Sequence, residues 1–106
     1  MIEKVDLWIK FQNNGIDAEL INGTMKISEA ENDIAEIVNK SRFYFEEYAE
    51  GLAHLVDGKI GRVYGDTHFL EQKEPIGVVL FGEVEASNGE IVDISIFTKE
   101  HRKKSL

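Results

Sequence analysis

The chain has 106 residues, enough for one domain and too few for two separate cores. Hydrophobic residues at 42% and charged residues at 30% exclude a disordered chain, and the absence of cysteine excludes disulfide scaffolds, zinc-thiolate sites and thiol catalysis. Twelve basic against twenty acidic residues give a formal charge of -8, which argues against nucleic acid and anionic membranes as partners and for a cationic one.

Val5, Leu7, Ile9 and Phe11 alternate with Asp6, Trp8, Lys10 and Gln12, the period of a strand with one buried face. Asn14-Gly15 follows, the preferred pair for a two-residue hairpin turn in which both positions need positive φ. Such a turn sets Phe11 opposite Ala18 and Ile9 opposite Leu20 on one face, with Lys10 meeting Glu19 on the other. Asn22-Gly23 repeats the signal and predicts a second turn leading to a short third strand at Met25–Ile27.

Ser28-Glu29-Ala30-Glu31 reads as a capping box, and Glu29, Glu31 and Asp33 suit the positive end of a helix dipole. Ala30, Ile34, Ile37, Val38, Ser41, Phe45, Tyr48, Ala49, Leu52, Leu55 and Val56 recur at spacings of three and four. This stripe predicts one amphipathic helix of about 40 Å reaching Asp57, with Gly58 as its C′ residue and Ser41 or Gly51 as points where it would kink.

Glycines 58, 61, 65 and 77 and the lone Pro75 punctuate the next stretch. Ile60–Tyr64 and His68–Gln72 read as two short strands around a Gly65-Asp66 turn. The last hairpin needs a register argument. A two-residue Asn88-Gly89 turn would mix charge into an apolar face. A three-residue loop, Ser87-Asn88-Gly89 with left-handed Gly89, instead pairs Val84 with Val92, Gly82 with Ile94 and Leu80 with Ile96.

The expected fold is α+β and two-layered: an antiparallel sheet of five to six strands on one long amphipathic helix, in the order β-β-β-α-β-β-β-β. Residues 1–98 form this single domain, and 99–106 a basic flexible tail. That tail nets +3, so the body carries -11 and the whole chain -8. The longest apolar run, Val78-Val79-Leu80-Phe81, is far too short for a membrane span or a signal-peptide core, and a cytoplasmic location is expected.

Chemistry-bearing motifs are sparse. His54 lies on the outer side of the helix with Glu50 four residues before it, and reads as a solvated residue with a local ion pair. Asp66-Thr67-His68 sits in the glycine-punctuated segment, where Arg62 and Tyr64 would help line a pocket. Gly58–Gly65 resembles a phosphate loop only superficially, because it lacks Gly-Lys-Ser/Thr. Lys59 and Arg62 retain a small-anion role as an outside reading. No catalytic residue, metal site or cofactor is expected.

The acidic surface carries the main functional signal. Glu36, Phe43, Glu47 and Glu50 project from the helix away from its apolar stripe, with Phe43 almost opposite Ile34. An exposed aromatic ringed by carboxylates has the composition of a hot spot for a basic partner. Glu83 and Asp93 fall directly opposite on the outer face of the last hairpin, with Glu85 beside them, a like-charge pairing that costs about 0.2–1 kcal/mol. Trp8 and Ile21 add an outward apolar spot.

These residues point to a non-enzymatic inhibitor of the immunity or antitoxin kind, masking a basic protein partner such as a toxin nuclease. One alternative is a small-molecule-binding domain or modest enzyme built on Gly58–Gly77. Another is a homodimeric assembly protein with Phe43 or Trp8 between copies.

Overall fold

A computed structural model describes residues 3–13, 16–27, 30–71 and 75–102. Five strands and two helices follow in chain order: β1 (Lys4–Asn13), β2 (Ile16–Lys26), α1 (Ala30–Leu55), β3 (Lys59–Gly65), α2 (Thr67–Glu71), β4 (Gly77–Glu85) and β5 (Ile91–Glu100). The strands form one antiparallel sheet in the order β2-β1-β5-β4-β3, with α1 packed against it in an α+β fold. The expected Asn14-Gly15 turn and the Ser28-Glu29 start of the capping box lie outside the described residues.

Both hairpin registers come out as the alternation dictates. Phe11 faces Ala18, Ile9 faces Leu20 and Lys10 faces Glu19. Val84 faces Val92, Gly82 faces Ile94 and Leu80 faces Ile96. Gly89 takes φ of 88°, its N–H donates to the carbonyl of Ala86 at 3.0 Å, and Ala86 N–H donates to the carbonyl of Glu90 at 2.8 Å. The three-residue loop is thereby closed.

Four expectations are corrected. Asn22-Gly23 is not a turn. β2 runs straight through it, and the register steps from Leu7–Gly23 to Trp8–Ile21, leaving Asn22 as the extra residue of a bulge. The same residue types serve turn and bulge, and here the pairing of Met25 with Val5 keeps the apolar face unbroken.

The strand expected at His68–Gln72 is corrected over its described part, His68–Glu71, while Gln72 lies outside the described residues. Thr67–Glu71 is a short helix, started by Asp66, whose Oδ1 accepts the N–H of His68 at 2.8 Å. Its anchor is Phe69, only 1% exposed and part of the main core. The element order is therefore β-β-α-β-α-β-β.

The C′ residue of α1 is Asp57, not Gly58. Asp57 has φ of 51°, and its N–H reaches the carbonyl of His54 at 3.4 Å. Gly58 N–H donates to the carbonyl of Ala53 at 2.8 Å, the longer bond of a Schellman ending. Glycine stands at 58 for space: a Cβ there would overlap the carbonyl oxygen of Glu85.

The expected tail also begins too early. Lys99 and Glu100 are the last residues of β5, paired with Asp6 and Val5. His101 N–H donates to the carbonyl of Lys4 at 3.3 Å, and residues 103–106 lie outside the described residues.

The core lies between α1 and the sheet. Val5, Leu7 and Ile9 of β1, Leu80 and Val84 of β4, and Ile94 and Ile96 of β5 meet Ile37, Phe45, Ala49 and Ala53 of α1. Leu55, assigned by spacing to the buried stripe, is 82% exposed because α1 ends there. Burying a side chain the size of Phe45 or Ile37 contributes about 1.5–3 kcal/mol, so these residues lock the rotation of α1 and fix which flank faces outward.

Candidate partner-binding surface

The outward flank of α1 follows from that lock. Phe43 sits about 180° from Ile34 around the helix and is 61% exposed. Its ring meets Tyr44 edge-on, with centroids 5.7 Å apart. Glu36, Glu47 and Glu50 are all exposed on the same flank. Glu46, about 120° from Ile34 and also exposed, joins them. Sequence inspection passed over Glu46 because it lies at the margin of the flank, although the same angular count includes it.

Two basic residues border these carboxylates: exposed Arg42, four residues before Glu46, and Lys40, whose Nζ lies 3.8 Å from Glu36 Oε1. With both side chains about half exposed, this i,i+4 pair contributes only about 0.3–0.5 kcal/mol. His54 is exposed near the C-terminal end of the flank, but it forms no ion pair with Glu50.

Glu83, Glu85 and Asp93 lie elsewhere. Val84 and Ile94 point to the helix side of the sheet and are fully buried, so Glu83, Glu85 and Asp93 point to the opposite face. Glu83 and Asp93 face each other directly, as the register predicts. The seven expected partner-binding residues therefore divide into two surfaces on opposite sides of the sheet. Their common outward orientation was readable in the sequence, and their separation was not, because it depends on which sheet face α1 covers.

The like-charge pair has a cationic neighbour. Arg62 stands in the bulge of β3, next to Gly61, where a Cβ would come within 2.7 Å of Glu83 Cγ. Its guanidinium donates to the Tyr64 hydroxyl at 3.3 Å. That bond, and then the field of Glu83, raise the Arg62 pKa above its ordinary value.

The residues expected to line a Gly58–Gly77 pocket do not converge. Asp66 is occupied in starting α2, His68 is exposed on that helix, and Arg62 and Tyr64 lie on the open face of the sheet. Lys59 pairs across the strands with Glu85. Of these residues only Asp66 lines a shallow 410 Å³ depression, which it shares with Gln12, Val78, Phe81, Asp93 and Ser95. Among the described residues no group of three or more His, Asp or Glu is placed to hold a metal ion, and no helix is long and apolar enough to cross a membrane.

His101, inside the segment expected to be a flexible tail, has a structural role. Its Nδ1 lies 2.9 Å from Oδ1 of Asp6, and the Thr24 hydroxyl donates to the same oxygen at 2.7 Å. Asp6 is only 6% exposed, so these two groups replace the water it has lost.

No family model, curated protein or solved structure matches this chain.

Proposed function

We propose that the chain is a non-enzymatic, acidic binding protein of the immunity or antitoxin kind, which masks a basic partner such as a toxin nuclease. The observation that carries this reading is Phe43, 61% exposed in the middle of a helix whose opposite side is locked into the core. Beyond its edge contact with Tyr44, a large aromatic there is left in solvent and supplies an anchor for a partner. Glu36, Glu46, Glu47 and Glu50 around it form the charged rim. Their field, on a chain of formal charge -8, speeds encounter with a cationic surface. A site carried on one packed helix also binds without a large ordering cost.

A basic cleft that holds nucleic acid is blocked by carboxylates occupying its phosphate positions, with the Phe43 ring excluding water between them. The test is affinity capture with the full chain at low and high salt, beside Phe43→Ser and a Glu36→Gln/Glu47→Gln/Glu50→Gln triple variant. A basic protein should be retained at low salt, released at high salt, and lost with both variants. Recovery of only acidic or neutral proteins, insensitive to salt and to both variants, overturns the reading.

A further inference from the structure

The face of the sheet turned away from α1 carries an apolar band that crosses all five strands. Ile21 of β2 pairs with Trp8 of β1, Trp8 with Phe97 of β5, and Phe97 with Val78 of β4. Phe81 and Tyr64 continue it onto β3, with ring centroids 5.1 Å apart. Trp8 and Phe97 stack at 6.4 Å and are half-buried, while the other four are exposed. The indole Nε1 of Trp8 is buried and has no hydrogen-bond partner among the described residues.

Charge is sorted to either end of this band. Lys4, Lys26, Lys99 and Arg102 lie at the end where β1 begins and β5 finishes, together with the carboxylate of Asp6, which His101 and Thr24 cover. Asp93, Glu83 and Glu85 lie at the other end, tempered by Arg62, Lys59 and Lys10. Lys99 spans both features: its Nζ sits 4.5 Å from the Trp8 ring centroid and 3.2 Å from Glu19 Oε2.

We propose that this face docks a second copy of the same chain, forming a symmetric dimer with the two sheets packed face to face. The strand pairing supplies the geometry. Along β5, Lys99 and Asp93 stand equally far from Ile96, which pairs with Ile9 at the level of the band. A two-fold axis along the band at that level lays Lys99 of one copy over Asp93 of the other, and the reverse. The apolar band then packs on itself, and the costly Glu83–Asp93 pairing gains a second cation beside Arg62.

The area is sufficient. Five strands spaced about 4.8 Å apart and about 30 Å long make a face of about 700 Å² before side-chain relief, against about 800 Å² per partner in a standard interface. Sheet faces packed in this way leave α1 on the outside of each copy. The proposal therefore stands apart from the reading of Phe43, and the dimer would present that flank twice.

Sedimentation velocity on the full chain, from low-micromolar to near-millimolar concentration, tests this directly. A reversible dimer is expected, weaker at high salt. Phe81→Ser, on an exposed side chain, should weaken it about tenfold or more with an unchanged circular dichroism spectrum. Asp93→Lys and Lys99→Glu should each weaken it, and the double variant should restore it. Leu55→Ser, on the helix side, should leave it unchanged. A monomer throughout the range, a dimer indifferent to Phe81→Ser, or a charge-swapped double variant no stronger than its parents overturns the proposal.

Discussion

The ring of Phe45 occupies the space that a side chain at position 82 would need. A Cβ on Gly82 would stand 2.5 Å from Phe45 Cζ and 2.6 Å from the carbonyl oxygen of Arg62. The largest buried side chain of α1 thus rests on bare backbone in β4, and this sets how closely helix and sheet approach. Gly82→Ala should cost about 1–3 kcal/mol in denaturant unfolding, with Phe45→Leu in the same chain recovering part of the loss.

At the end of α1 two adjacent residues should respond in opposite directions. Gly58→Ala drives a methyl into the Glu85 carbonyl oxygen and should lower stability by about 1–3 kcal/mol. Asp57→Gly relieves a left-handed backbone and removes a negative charge from the negative end of the helix dipole. It should raise stability by about 0.5–1 kcal/mol. Thermal melts of the two variants beside the parent chain check both signs.

Ser41 is fully buried on the inner stripe of α1, and its hydroxyl has no hydrogen-bond partner among the described residues. Ser41→Ala removes an uncompensated polar group and improves helix propensity. A gain of about 1 kcal/mol is expected from urea unfolding, with no change in m-value.

Asp6 depends on its donors. Thr24→Val keeps the shape of the side chain and deletes the 2.7 Å hydrogen bond to a carboxylate that is 6% exposed. Stability should fall by about 1–3 kcal/mol. Asp6→Asn in the Thr24→Val background should recover part of it, since the amide is cheaper to desolvate than the carboxylate.

Local chemistry made much of this architecture legible. Alternation at Val5–Phe11 and the three-residue loop at Ser87–Gly89 fixed two registers, because a one-residue slip would turn each apolar face outward. Spacing of three and four identified α1 and put Phe43 outside. What escaped was non-local. Asn22-Gly23 has turn chemistry, yet the partner strand decides for a bulge. Thr67–Glu71 is too short to show a helical period, and Phe69 gains its role only when the core forms around it. The outward aromatics were visible singly, at Trp8 for instance, but their alignment depends on a sheet order that places β5 between β1 and β4.

That order has a consequence for how the polypeptide comes to its final form. The strand at the centre of the sheet follows the other four in the chain, so the β1–β2 ribbon and the β3–β4 ribbon cannot join until it has been made. At translation rates of about 5–20 residues per second, both ribbons wait for seconds with an open margin of unpaired amides and carbonyls. Assembly is completed by the late, long-range pairing of β5 with β1, and any lesion that delays β5 exposes two sticky strand edges at once.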